Sequence, residues 1–191
     1  MAGWLFLILA FVSPLCALSS ALFSARAVHH VLLVAIAAPL LARAFPAERE
    51  SGLALPFAVS ALTLWLWHAP PLYTAALNDN AIYWLMQVSL LGTAWWFWRS
   101  VFAAQDVLPA ALLTVAAAIG QMGLLGALLT FAPDPLYAHH LTAPLAFGLT
   151  PLQDQQLAGL IMWVPAMAPY LLIAIWMARR AWSGNLAQCA S

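Results

Sequence analysis

Thr150-Pro151-Leu152-Gln153-Asp154-Gln155-Gln156-Leu157-Ala158-Gly159-Leu160-Ile161-Met162-Trp163-Val164-Pro165 carries a run of amide and acid groups straight into a long apolar segment. On a helix, Asp154, Gln155, Ala158 and Met162 fall within about 100° of one another. That stripe points a carboxylate, an amide, a small gap and a soft sulfur the same way. Two readings follow. Asp154 serves as a polar cap at the positive helix end, with Met162 packing, or the stripe faces a bundle interior or cavity, as polar groups at membrane depth usually do.

The whole chain supports a membrane setting. Of 191 residues, 65% are hydrophobic and 6% charged, there is no lysine, and there are ten tryptophans. A mean hydropathy of +0.93 with long charge-free stretches marks a polytopic membrane protein rather than a soluble core. Zero net charge and the absence of a basic run or a Gly-rich phosphate loop argue against nucleic acid and nucleotide partners. Cys16 and Cys189 lack CxxC spacing, and the topology puts them on opposite sides, which argues against a disulfide. The amino-terminal stretch lacks a basic region and is charge-free to Ala25, so it is read as a retained helix and not a signal peptide.

At roughly 20 apolar residues per crossing, six spans are expected. They cover about residues 3–20, 26–44, 51–67, 81–98, 107–131 and 154–178. Glu48-Arg49-Glu50 is the first polar turn, and Pro70-Pro71 ends the third span. Residues 72–80 are expected to be a loop closing on Asn78-Asp79-Asn80. Pro133-Asp134-Pro135 breaks the fifth span, and a longer connection over 136–153 carries His139 and His140. The chain thus reads as one all-α transmembrane bundle over 1–180 with a short polar tail over 181–191. Arg43, Arg49, Arg99, Arg179 and Arg180 fall on one side and only Arg26 on the other, so the positive-inside bias makes both termini and the tail cytoplasmic. Gly120, Gly123 and Gly126 give the fifth span a small face suited to close helix packing.

All five histidines then lie in the outer half. His29 and His30 sit just inside the second span, His68 closes the third, and His139 and His140 are expected in solvent. Met86 lies near the outer end of the fourth span; Met122 and Met162 lie about 13 Å along theirs. Imidazole near the surface with thioether below is a ligand set for copper, Cu(I) above all. Calcium and magnesium need more oxygen ligands, and a structural zinc site more Cys and His at fixed spacing. Each methionine also reads as ordinary core, and an interfacial histidine as a partner of a backbone carbonyl.

Three stretches carry a resemblance: His30-Val31-Leu32-Leu33 with Pro39-Leu40-Leu41; Trp67-His68-Ala69-Pro70-Pro71-Leu72-Tyr73; and Asp154-Gln155-Gln156-Leu157-Ala158-Gly159-Leu160-Ile161-Met162-Trp163. In this order and spacing the chain resembles the polytopic, CtaG-like cytochrome c oxidase assembly family of bacteria over about residues 11–178. The resemblance implies an assembly factor of the cytoplasmic (inner) membrane that acts in haem-copper oxidase maturation at a copper step. Family polar positions map to His30, His68, Asp154, Gln155, Met162 and Trp163. The chain departs from the family in four places: Arg26 where a first histidine is usual, Tyr83 and Gln87 where histidines are frequent, and Ser13-Pro14-Leu15-Cys16 for Ser-Pro-Leu-Asp.

The resulting expectation is a non-enzymatic factor that holds or delivers copper at the outer face, since no nucleophile–base pair is evident and Asp154 alone makes no dyad. His30 and His68 are the main candidate ligands, with His29, Met162 and Met86 to complete the set. Asp154 and Gln155 are expected to orient a ligand histidine by hydrogen bonds. Expected partners are cytochrome c oxidase subunits, a periplasmic copper donor and the lipid bilayer. The rival readings are a redox subunit binding haem b or quinone, and a metal-free scaffold for an oxidase subunit.

Overall fold

A computed structural model describes Gly3 and residues 14–47, 52–104 and 107–189. Most of the expected first span, the Glu48-Arg49-Glu50 turn and the side chains of Cys16 and Cys189 lie outside the described residues. Every regular element among the described residues is helical. In chain order these are α1 (Pro14–Ala21), α2 (Phe23–Ala44), α3 (Ala54–His68), α4 (Pro70–Asn78), α5 (Asn80–Ala103), α6 (Leu108–Phe131), α7 (Pro151–Trp163) and α8 (Met167–Cys189). Phe23–Ala44, Leu108–Phe131 and the combined stretch Pro151–Ser183 are long and apolar enough to cross a membrane, and Ala54–His68 is a shorter apolar helix. With α5, whose 24 residues give it the length, these account for five of the six expected spans; the first lies largely outside the described residues. A Cβ on Gly3 would meet the Leu41 and Leu40 side chains of α2 at 3.1–3.5 Å.

α2 is the central helix. Of its most apolar window 61% is buried, against 39% for α6 and 28% for Pro151–Ser183. It packs against α5 and α7, while α3 packs on α5 and α6, and α6 on α7. Midway along α2, Leu32–Ala37 widens into π-helix, with the Ala38 N–H bonded to Leu33 O. In that register the next donor would be Pro39, which has none. Trp98, wholly buried, fills the gap: its Nε1 donates to Val34 O at 2.9 Å.

Proline also accounts for two departures from the sequence reading. Residues 70–78 are a helix and not a loop. Ala69 is extended (φ −66°, ψ 125°), and Pro70-Pro71 both end α3 and open α4, because proline suits the first helical turn. The last span is split. Pro165 offers no N–H, and the Ala166 N–H takes Ile161 O instead at 3.2 Å, turning the chain between α7 and α8. α7 begins earlier than expected, at a capping box in which Thr150 accepts from Gln153 N and the Gln153 side chain accepts from Thr150 N. α8 continues beyond Arg179-Arg180 to Cys189, where a tail was expected.

The helix ends segregate chemically. Arg43, Arg99 and Arg180 meet around Trp176 and Pro46, whereas His29, His30, His68 and His140 gather at the other end with Arg26 and Tyr83.

Candidate functional site

The start of α2 is held by a carboxylate from α7. The first N–H groups of a helix have no partner within it, and the N-cap residue Leu22 has no side chain able to supply one. Asp154 does so from 131 residues away: Phe23 N donates to Oδ2 at 2.6 Å, and Ser24 N (3.1 Å) and Ser24 Oγ both donate to Oδ1. The negative charge also opposes the positive end of the α2 dipole. Gln155 accepts from Leu136 N (2.7 Å) and donates to Leu129 O (3.3 Å) and Asp134 O (3.4 Å), pinning the turn after α6. The expected stripe of Asp154, Gln155, Ala158 and Met162 is buried throughout. The hydrogen bonds of Asp154 and Gln155 go to backbone groups and a serine, not to imidazole. They act on the histidines by fixing the helix that carries them.

From that start α2 presents Arg26, His29 and His30 inward; the residues three and four apart share a face. His30 is 1% exposed, and neither ring nitrogen makes a hydrogen bond. His68, at the end of α3, donates from Nδ1 to Leu64 O at 2.7 Å. A carbonyl can only accept, so the neutral ring keeps its lone pair on Nε2, which has no partner. The two rings are 5.5 Å apart and near perpendicular. His29 lies 6.0 Å from His30 and donates from Nε2 to Gln87 Oε1 at 3.2 Å. A buried polar atom left unpaired costs about 1–3 kcal/mol, so the unpaired nitrogens of His30 and His68 need a chemical explanation.

Arg26 is equally buried. Its Nε donates to Ser19 O at 3.0 Å, and its guanidinium lies 5.2 Å from the Tyr83 ring centre. Two departures from the family pattern therefore touch each other, and a third, Gln87, touches His29. Met86 and Met162 are fully buried in the apolar core.

An aromatic cluster adjoins the pair. Phe23 packs at tilted or edge-on angles against Tyr137 (4.2 Å), Tyr73 (5.3 Å), His140 (5.7 Å) and, at 6.4 Å, His68. Tyr137 donates to His68 O at 2.7 Å. His140, expected in solvent, is 3% exposed, whereas His139 is exposed. The His140 Nδ1 donates to Ala21 O at 3.1 Å, which leaves Nε2 to accept from the Tyr73 hydroxyl at 2.7 Å. Burial pushes Tyr73 and Tyr137 well above the ordinary phenol value, so both remain donors. Motif reading missed Tyr137 and Phe23, which belong to no recognised stretch. Tyr73 closes the Trp67–Tyr73 motif and was visible there.

Burial, the largest cause, lowers the pKa of His140 below its ordinary 6.5; the bond to Ala21 opposes this more weakly. The closed 132–150 connection therefore binds a proton less readily than an opened one. Its stabilisation is complete above about pH 6.5 and falls as the pH drops through and below that value. From about pH 7.5 to about pH 5, amide exchange at His140, whose N–H bonds Tyr137 O, should slow by less than the intrinsic rate does, because protection is lost as the connection opens. In a His140→Gln variant, exchange should follow the intrinsic rate alone.

Among the described residues no group of three or more His, Cys, Asp or Glu side chains is arranged to hold a metal. A closed tetrahedral site of the structural zinc kind is thus not built there. What is present is a pair of neighbouring buried imidazoles on two helices, each with a ring nitrogen free of hydrogen bonds, a donor type that suits a soft ion of low coordination number. Opposed imidazoles each about 2 Å from one ion would stand about 6 Å apart between ring centres, close to the 5.5 Å observed.

A family model described as cytochrome c oxidase caa3 assembly factor (Caa3_CtaG) matches residues 1–50 and 53–183. No curated protein and no solved structure matches the chain.

Proposed function

This chain belongs to the cytochrome c oxidase caa3 assembly factor family, and from that premise we propose that it holds one Cu(I) as cargo between His30 and His68. It does so in the bacterial cytoplasmic membrane, at the outer face, on behalf of an oxidase subunit. The observation that carries the reading is the wholly buried His30, neither of whose nitrogens is hydrogen-bonded, with its ring 5.5 Å from that of His68, whose Nε2 is also unpaired. A soft, weakly hydrated monocation suits this apolar setting and two imidazoles. Met86 and Met162, both buried, remain the candidates to complete the set. The protein's work is binding and release, without catalysis. Placing the site at the outer face rests on the arginine bias toward the opposite end, and it puts the site where a periplasmic copper donor could reach it.

Purified protein titrated with Cu(I) against a competing chelator should retain one ion per chain, and the His30→Ala/His68→Ala double variant should lose it. Equal retention by the double variant would refute the ligand assignment. One observation favours a second reading, a metal-free scaffold for an oxidase subunit: Arg26 places a fixed cation one helical turn from His30. On that reading, co-purification with an oxidase subunit survives the double substitution and no copper is found in the wild type.

A further inference from the structure

At the end opposite the histidines, arginines from three helices converge. The Arg43 guanidinium of α2 lies 4.3 Å from the ring centre of Trp176 on α8, and Arg180 approaches the same residue at 5.7 Å. Arg99 of α5 lies 4.6 Å over Trp95 and donates to Pro46 O at 2.9 Å, while its Nε is buried without a hydrogen bond. The three line a crevice of about 200 Å³, and no acidic side chain is among its described walls. Three guanidinium groups held together repel one another unless an anion sits among them.

That crevice shares Arg43, Phe102 and Trp176 with a second cavity, an apolar groove of about 430 Å³ between α2 and α8. Ala35, Ile36, Pro39, Leu40, Leu172 and Ile173 form its walls. Leu172 is 67% exposed, so the groove opens toward the surface that faces hydrocarbon in a bilayer. From Ile36 to Arg43 the groove wall rises about 10 Å along α2, enough to bring much of an acyl chain up to the arginines.

We propose that this is a binding site for one anionic phospholipid, its phosphodiester among Arg43, Arg99 and Arg180 and an acyl chain in the groove between α2 and α8. Guanidinium forks match phosphate oxygens geometrically, and basic pockets between transmembrane helices on the cytoplasmic side suit anionic headgroups. A free phosphate would use the crevice and leave the apolar groove uncovered. The proposal is independent of the copper reading.

The test uses full-length protein in detergent, with phosphatidylglycerol or phosphatidylcholine added and binding followed by native mass spectrometry and thermal unfolding. Phosphatidylglycerol should bind about 30-fold more tightly. An Arg43→Gln/Arg180→Gln variant should bring the two lipids to near parity. Leu172→Trp, which fills the groove and spares the arginines, should weaken phosphatidylglycerol binding. Inorganic phosphate alone should not stabilise the protein. Equal binding of the two lipids by the wild type would overturn the site. So would unchanged binding by Leu172→Trp, or phosphate matching the lipid's stabilisation.

Discussion

Replacing Gly159 by alanine should lower the unfolding temperature of the bundle by roughly 10 °C or more. α6 and α7 cross where Gly126 faces Gly159, and the approach is between backbones. A Cβ on Gly159 would lie 2.5 Å from Gly126 O and 2.8 Å from Thr130 N, and would collide with Thr130 Oγ1. Side-chain overpacking costs about 1–3 kcal/mol when neighbours can turn aside; a helix backbone cannot, so the cost should reach or exceed the top of that range. About 3 kcal/mol lowers Tm by roughly 10 °C in a chain of this size. Small residues are how membrane helices come this close. The damage would also travel, because α7 carries Asp154, which caps α2 and so aligns His30. Gly120→Ala is the control, since nothing lies within 4 Å of its added methyl. Thermal unfolding in detergent with Gly159→Ala equal to wild type would contradict the crossing.

Arg26→His should tighten Cu(I) binding by about 30- to 150-fold. Arg26 stands one helical turn before His30, so the two side chains are roughly 6 Å apart. At an effective dielectric of 20, a unit charge there opposes a bound monocation by about 2–3 kcal/mol. The substitution removes that charge and adds an imidazole at the position the family pattern favours. Tyr83 lies under the Arg26 guanidinium and loses its partner, so adding Tyr83→His should raise affinity again. Competitive titration with a Cu(I) chelator reads both steps. A weaker complex after Arg26→His would mean that the arginine supports the site and does not oppose it.

Apolar runs made the helices legible in the sequence, and the arginine and histidine counts made the two ends legible. Local rules reached less far. Pro70-Pro71 was read as a stop, and it is equally a start. Pro165 was in view but was not read as a break, because the apolar run continues past it. Of three glycines at helical spacing, only the partner across the crossing distinguishes Gly126, which touches Gly159, from Gly120, which touches nothing. The polar stripe from Asp154 is buried, as one of its two readings expects, and its partners were invisible. Asp154 caps a helix 131 residues away, and no periodicity encodes that pairing. His140 belongs to the same class: a loop histidine by sequence, buried because Phe23, Tyr73 and Tyr137 close around it. The family's histidine positions were legible, but not that Arg26 and Tyr83 would form a contact of their own.

The claim that His30 and His68 share one copper ion is tested most directly by X-ray absorption at the copper edge on wild-type protein carrying one Cu(I) per chain. The account predicts a first shell containing two imidazole nitrogens at about 2 Å, with the outer-shell scattering of the rings, reduced in either single alanine variant. A shell of sulfur alone, or a spectrum unchanged by both substitutions, would contradict it.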